Sequence, residues 1–497
     1  MNRRQFLKQC SALTGTLVFS SCTGFLIHRK KSTDFTSKKR PNIIVLLADD
    51  LGYSDLGCFN SEHIKTPNLD AFAKQGTKFT SCYAGAPLCS PSRAAFLTGR
   101  NPARCGMYSY IPTNIPGHPM HFRTNEITIA SLLKNAGYQT AHFGKWHLNS
   151  SMSPAEGQPQ PNDHGFEYSY GVDNYSRNSS THKMLDPDNI WRNGSPVGKV
   201  SGLPCDIYVD DAINWLENTR KKDKPFFQYI CFNEPHNPIL EAKDFPQDIM
   251  KMYPPPIPKS DACYFATITN LDRQIGKFLK KLDELNLSEN TFVVFLSDNG
   301  PLRDFSQNPL RGYKSQCYEG GIRTPGIIRF PGHTKPGTEC DEPISFVDFA
   351  PTFCEIAGVR MPVNRKIDGT NILPIIKGGK IIRDNPLFWY FYKIAPQAAL
   401  REGDWIMVAR LGVEIPKSEH AFLCSHMKYL KEKPLVNFEL YNIKNDIGQQ
   451  HNLADDEPER FNAMKKKMEE LHEEVIAEGY TWPDSDFEGT EWELIDN

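Results

Sequence analysis

No two of the 13 cysteines form a Cys-x-x-Cys pair, and no Cys/His run has zinc-module spacing. A metal–thiolate domain is therefore excluded. Charge of one sign is not in excess: 57 Lys and Arg face 59 Asp and Glu, a formal net charge of −2. Such a surface gives no general steering toward polyanions, so a nucleic-acid role has no support. Internal repeats and low-complexity tracts are absent, and no apolar run is long enough to span a membrane. What is present is a 497-residue chain, 39% hydrophobic and 23% charged. That is enough for one large core and a smaller second one.

The first 40 residues stand apart from the fold. Arg3-Arg4-Gln5-Phe6-Leu7-Lys8 resembles a bacterial twin-arginine export signal, followed by a short apolar-to-small stretch at 11–21. Phe19-Ser20-Ser21-Cys22 is close to a lipobox, with Phe where Leu, Val or Ile is usual. The expectation is a leader over 1–22 handled by export machinery. The product is either a lipoprotein anchored through Cys22, in the periplasm or at the cell surface, or a simply cleaved exported protein. Residues 23–40 read as a tether, basic over 28–40.

From Pro41 the pattern alternates strands and helices. Ile43–Leu47 is a continuous apolar run, as in a strand buried on both faces, and it ends at Asp49-Asp50. A helix is predicted over 126–136 and a strand over 138–143. Helical stripes follow at Val209–Leu216 and Ile268–Leu282, and strands at Phe226–Phe232 and Phe292–Leu296. Alternation of this kind predicts an α/β sheet flanked by helices, with ligands at the carboxyl ends of its strands. Polar clusters stand at those ends: Asp49-Asp50, Lys145-Trp146-His147, His236 and Asp298-Asn299. After about residue 385 short β-like runs (386–392, 405–409, 440–442) and a helix with Phe461, Met464, Met468, Leu471 and Val475 predict a smaller α+β unit. The division expected is 41–385 for the catalytic domain and 386–497 for the second.

Residues 89–100 read CSPSRAAFLTGR. Ser90 suits a helix N-cap, Pro91 the first turn and Gly99 a left-handed C-cap. Cys89 would then lie just outside a helix mouth that favours anions, with Arg93 close by: a reactive thiol position. On the residues alone, a buried structural Cys or a disulfide with Cys82 stays open. Asp49, Asp50, Asp298 and Asn299 offer oxygen donors, which suit Ca²⁺ or Mg²⁺ better than zinc, and are also what turns and caps use.

The block resembles the sulfatase signature Cys-x-Pro-Ser-Arg followed by Leu-Thr-Gly-Arg, with Cys89, Pro91, Ser92, Arg93, Leu97, Thr98, Gly99 and Arg100 all in place. Ala48–Gly52, Gly144–Leu148, Pro235–Pro238, Ser297–Gly300, Gly312–Lys314 and Glu319–Pro325 resemble further stretches of the same family. Phe346–Ala357, Asp368-Gly369 and Glu439–Asn442 extend the match to about 455. The chain is thus identified as a member of the type I, formylglycine-dependent sulfatases, and an alkaline-phosphatase-like mixed sheet with a C-terminal α+β subdomain is implied. The resemblance implies oxidation of Cys89 to formylglycine by a maturation enzyme. It implies a cation held by Asp49, Asp50, Asp298, Asn299 and an oxygen of hydrated residue 89. Arg93, Lys145 and Lys314 would neutralise sulfate, His147 would take a proton from the diol, and His236 would serve the departing alcohol oxygen. Glu319 and Arg323 would support the Lys314 loop. Asn149 stands where the family usually has Gly.

Two alternatives share part of this pattern: a phosphonate or phosphate ester hydrolase of the same superfold, and a glycan-binding lipoprotein with an unmodified Cys89. The segment 149–203, with Asn174, Tyr175, Arg177, Asn178, His182 and Trp191, is sugar-friendly or else ordinary surface loop. A sulfated carbohydrate is the substrate expected.

Overall fold

The computed structural model describes residues 40–111, 120–172, 184–302, 309–392, 396–413 and 426–482. The leader with Cys22 and the tether up to residue 39 lie outside them, as do Asn174, Tyr175, Arg177, Asn178 and His182.

Eleven strands form one mixed sheet: β1 (Asn42–Asp49), β2 (Thr77–Tyr83), β3 (Gln139–Gly144), β4 (Tyr168–Val172), β5 (Ile190–Arg192), β6 (Ser195–Gly198), β7 (Phe226–Pro235), β8 (Thr291–Ser297), β9 (Arg323–Arg329), β10 (Thr338–Cys340) and β11 (Ile344–Ser345). Their order is β10-β2-β9-β8-β1-β7-β3-β4-β5-β6, with β11 beside β2. The middle of the sheet, β8-β1-β7-β3-β4, is parallel. Strands β5, β6 and β9 run antiparallel to their neighbours.

The unbroken apolar run of β1 has a simple cause. Ile43, Val45 and Leu47 enter the core on one side of the sheet, while Ile44, Leu46 and Ala48 enter the core on the other. Strand β8 divides in the same way, Phe292, Val294 and Leu296 against Val293 and Phe295. Period-two side chains with helices on both faces require this pattern. The helices Pro67–Gln75, Pro204–Asn214 and Lys259–Glu284 cover one face. The helices Cys89–Thr98, Ile129–Asn135 and Phe349–Ala357 cover the other.

A second, antiparallel sheet follows: β12 (Leu387–Phe391), β13 (Gln397–Glu402), β14 (Trp405–Leu411) and β15 (Leu435–Asn442). One face, with Tyr390, Leu400 and Met407, shares its core with Met464 and Met468 of the helix Pro458–Glu478. The other, with Trp389, Ala399 and Val408, packs against Tyr83, Leu88 and Cys89. Trp389 Nε1 donates to the Ala84 carbonyl at 2.8 Å. This sheet therefore forms the floor beneath residue 89. Trp191, one of the sugar-friendly residues of the sequence, packs against the main core.

Candidate active site

Four adjacent parallel strands, β3, β7, β1 and β8, deliver the polar clusters to one edge of the sheet. The β1–β7 register shifts between Leu47 and Asp49, and Asp50 follows at φ 64°. A bulge and a left-handed Asp re-aim both carboxylates out of the strand direction. His147 is likewise left-handed at φ 55°. Such outliers concentrate where function fixes the backbone. Gly144 has φ 93°, and a Cβ there would lie 1.9 Å from the Cys231 carbonyl, so strands β3 and β7 approach only with Gly at this turn.

The helix begins at Cys89 itself and ends at Gly99, which is left-handed at φ 72° as the C-cap. Leu88, not Ser90, is the N-cap residue; the Ser90 hydroxyl instead accepts from the Ile111 N–H. Cys89 and Cys82 are both free. The expectation of a reactive thiolate is not met. Burial pushes the Cys89 thiol up, and the attraction of Lys145 and Lys314 does not offset it.

Ligand atoms of Asp49, Cys89 and Asp298 lie within 4.8 Å of one another, and so do those of Asp49, Asp50 and His236. Arg93, wholly buried, donates to Asp298 Oδ2 through Nε at 3.0 Å and Nη2 at 2.7 Å, and through Nη1 to the Lys145 carbonyl at 2.8 Å. Its fork thus clamps a strand-end carboxylate to the β3 turn. Lys145 Nζ donates to Asp49 Oδ2, and Lys314 Nζ lies 2.6 and 2.7 Å from the two Asp50 oxygens. Asn299 Nδ2 donates to Asp50 Oδ1 at 2.7 Å, which turns its own Oδ1 the other way. The two carboxylate-bearing loops are stitched by Ser297, whose hydroxyl accepts from the Leu51 N–H and donates to the Asn299 carbonyl. The sequence placed Ser297 at the head of the Ser297–Gly300 stretch but gave its hydroxyl no role.

Charge explains the protonation states. Burial alone would raise the Asp49 carboxyl, but Lys145, His236, Arg93 and Lys314 together hold it well below the usual range. Asp298 is pushed up by burial and by the charge of Asp49, against the pull of Arg93. Burial together with the Lys145 and Arg93 charges keeps His147 neutral. His236, its side chain a third exposed, is lowered to about 4 by desolvation and the Lys314 ammonium. Its Nδ1 is 2.5 Å from the Asn237 carbonyl, and its Nε2 is 3.6 Å from Asp50 Oδ2.

The donor set fits a hard cation. Asp49 Oδ1 and Asn299 Oδ1 are buried with no hydrogen-bond partner. Burying such oxygens unpaired is costly, and a cation satisfies both. The loop after β8 brings Lys314 to the site and is held from behind: Glu319 accepts from Arg323 Nη1 at 2.9 Å and from the Tyr83 hydroxyl at 2.8 Å. Asn149 points away, donating to the Pro159 carbonyl. Every site residue expected from the sequence is thus at this edge, Arg93 lying behind the carboxylates.

Residues 41–359 match the family model described as Sulfatase, and 313–477 match that of the N-sulphoglucosamine sulphohydrolase C-terminal region. The chain belongs to the sulfatase family, enzymes that hydrolyse sulfate esters on an alkaline-phosphatase-like fold. It is similar to human arylsulfatase A, 32% identical over 463 residues that cover 86% of each chain. Human N-acetylgalactosamine-6-sulfatase is 33% identical over 397 residues, 75% of this chain and 70% of that one. Among solved structures, Ps i-CgsB in complex with k-i-k-neocarrahexaose superposes with a TM-score of 0.74 at 30% identity, over 87% of this chain and 93% of that one.

Proposed function

We propose that this sulfatase removes sulfate from a sulfated carbohydrate, using formylglycine made from Cys89 and one divalent cation, Ca²⁺ or Mg²⁺. The observation that carries the reading is the pair of unpartnered oxygens, Asp49 Oδ1 and Asn299 Oδ1, in the same buried cluster as residue 89. Sugar as the substrate is supported by the names of two similar proteins, one an N-acetylgalactosamine-6-sulfatase and one solved with a neocarrahexaose.

Asp49, Asp50, Asp298 and Asn299 would hold the cation, which supplies Lewis-acid neutralisation of sulfate oxygens. Residue 89 as hydrated formylglycine would supply a nucleophilic oxygen and a second, ionisable hydroxyl on the same carbon. Lys145 and Lys314 bind sulfate oxygens, in a site where such contacts exceed their value in water. Arg93 holds Asp298 and the Lys145 turn in register. His147, neutral, takes the proton at Nδ1. His236 would meet the leaving alcohol oxygen at Nε2, since its Nδ1–H is committed to the Asn237 carbonyl, and it would hand that oxygen a proton only from its doubly protonated form.

A panel of sulfated mono- and oligosaccharides tests the substrate: sulfate release should exceed that from aryl sulfates at equal concentration. Turnover of aryl sulfates alone would remove the sugar assignment. Matched phosphate esters should react far more slowly, and the opposite order would favour the phosphonate hydrolase alternative. The Arg3-Arg4 leader and Cys22 support export with a lipid anchor. Labelled fatty acid should attach to the wild type and not to Cys22→Ala; equal labelling would remove the anchor.

A further inference from the structure

Ser90 fills the variable position of the Cys-x-Pro-Ser-Arg block, so the signature assigns it nothing. It is wholly buried, and it does not cap its helix. Its Oγ accepts the Ile111 N–H at 3.1 Å. The carbonyl of the same residue, Ile111, lies 3.0 Å from His147 Nε2. A carbonyl oxygen only accepts, so Nε2 carries the ring proton and the neutral imidazole presents a bare Nδ1. That Nδ1 is buried and has no hydrogen-bond partner.

We infer that Ser90 is a positioning residue: its hydroxyl fixes the Ile111 backbone, whose carbonyl selects the Nε2–H tautomer of His147. The chain of contact runs from the residue beside the nucleophile to the base, through one backbone segment. Ile111 is itself packed in the main core, so its only polar freedom is rotation of its peptide groups. Without the serine acceptor, the Ile111 N–H would be an unpaired buried donor, and turning to find another partner would carry the carbonyl away from Nε2. His147 would then be free to adopt the Nδ1–H tautomer, which cannot accept a proton at Nδ1.

This rests on His147 being the base, and the test separates the two. Ser90→Ala leaves Cys89, Pro91, Ser92 and Arg93 in place, and mass spectrometry of the peptide confirms maturation at residue 89. Nitrogen-15 spectra of histidine-labelled protein, assigned by the signals lost in His147→Gln, should show the Nε2–H tautomer in the wild type. In Ser90→Ala a mixture of tautomers should appear, while Ser90→Thr, which keeps the hydroxyl, should retain the wild-type pattern. Turnover of Ser90→Ala should fall about tenfold in kcat with KM within twofold. In the His147→Gln background, Ser90→Ala should add less than a twofold loss. An unchanged tautomer in folded Ser90→Ala, or the same tenfold loss in both backgrounds, would overturn the inference. Wild-type kcat in His147→Gln would refute the base assignment, and the tautomer signals would still decide the role of Ser90.

Discussion

Arg93 places two of its donors, Nε and Nη2, on one oxygen of Asp298, with both side chains fully buried. Removing one member of such a pair leaves an uncompensated charge, at a cost of about 3–5 kcal/mol. Arg93→Met should lose that much stability to urea in chelated protein. It should lose less with saturating calcium, which neutralises Asp298 in place of the guanidinium. Equal losses in the two conditions would detach Arg93 from the cation site.

Lys314 reaches the site from the loop after β8 and contacts Asp50. Burial opposes its charge, but the negative groups around it push the ammonium up, so it stays charged at every working pH. Lys314→Ala removes a contact that strengthens as charge develops on sulfate. By comparison with loss of an oxyanion donor, kcat/KM should drop by on the order of 2–4 kcal/mol. A change below about threefold would place Lys314 outside the reacting site.

Asn299→Leu removes one of the two unpartnered oxygens while preserving size. Elemental analysis should find about one Ca²⁺ or Mg²⁺ per wild-type chain and clearly less in the variant. Exhaustive chelation should abolish turnover, and adding the cation back should restore it. Retained activity with no cation would contradict the assignment.

Burial holds three histidines away from the site's carboxylates below their usual range: His142 at about 3, His164 and His472 at about 4. The unfolded chain binds their protons first as pH falls. Their contribution is therefore complete above about pH 6.5 and is lost from there down to about pH 4 for His164 and His472 and about pH 3 for His142. Asp272, at about 6, and Glu234, at about 7, are raised and act oppositely. The readout is thus a difference. His472 packs on Tyr390, and its Nε2 lacks a partner. His472→Phe should lose about 2 kcal/mol less than wild type between pH 7.5 and 5. Parallel losses would mean that His472 is protonated in the fold.

The strand ends were legible because a strand buried on both faces leaves a run such as Ile43–Leu47 and must stop at polar residues. The four adjacent strands that converge on the site could not be read, because their order is set by long-range pairing rather than by local pattern. Strand β13, Gln397–Glu402, was missed because Ala398-Ala399-Leu400 carries no alternation. Ser90 looked like a cap because a helix mouth and a buried acceptor use the same residue type. Cys89 looked reactive because sequence displays the cations beside it but not the desolvation that outweighs them. The residues of the site are readable as a set, and the place of Arg93 as a clamp on Asp298 requires distances.

The chemistry turns on what residue 89 is in the active enzyme. Mass spectrometry of the peptide that contains it, run beside sulfate-release assays on the same preparations, measures this. The aldehyde form should be present, and specific activity should rise in proportion to its fraction, reaching zero in Cys89→Ala. Full activity in protein that carries only the thiol at residue 89, or in Cys89→Ala, would contradict the account.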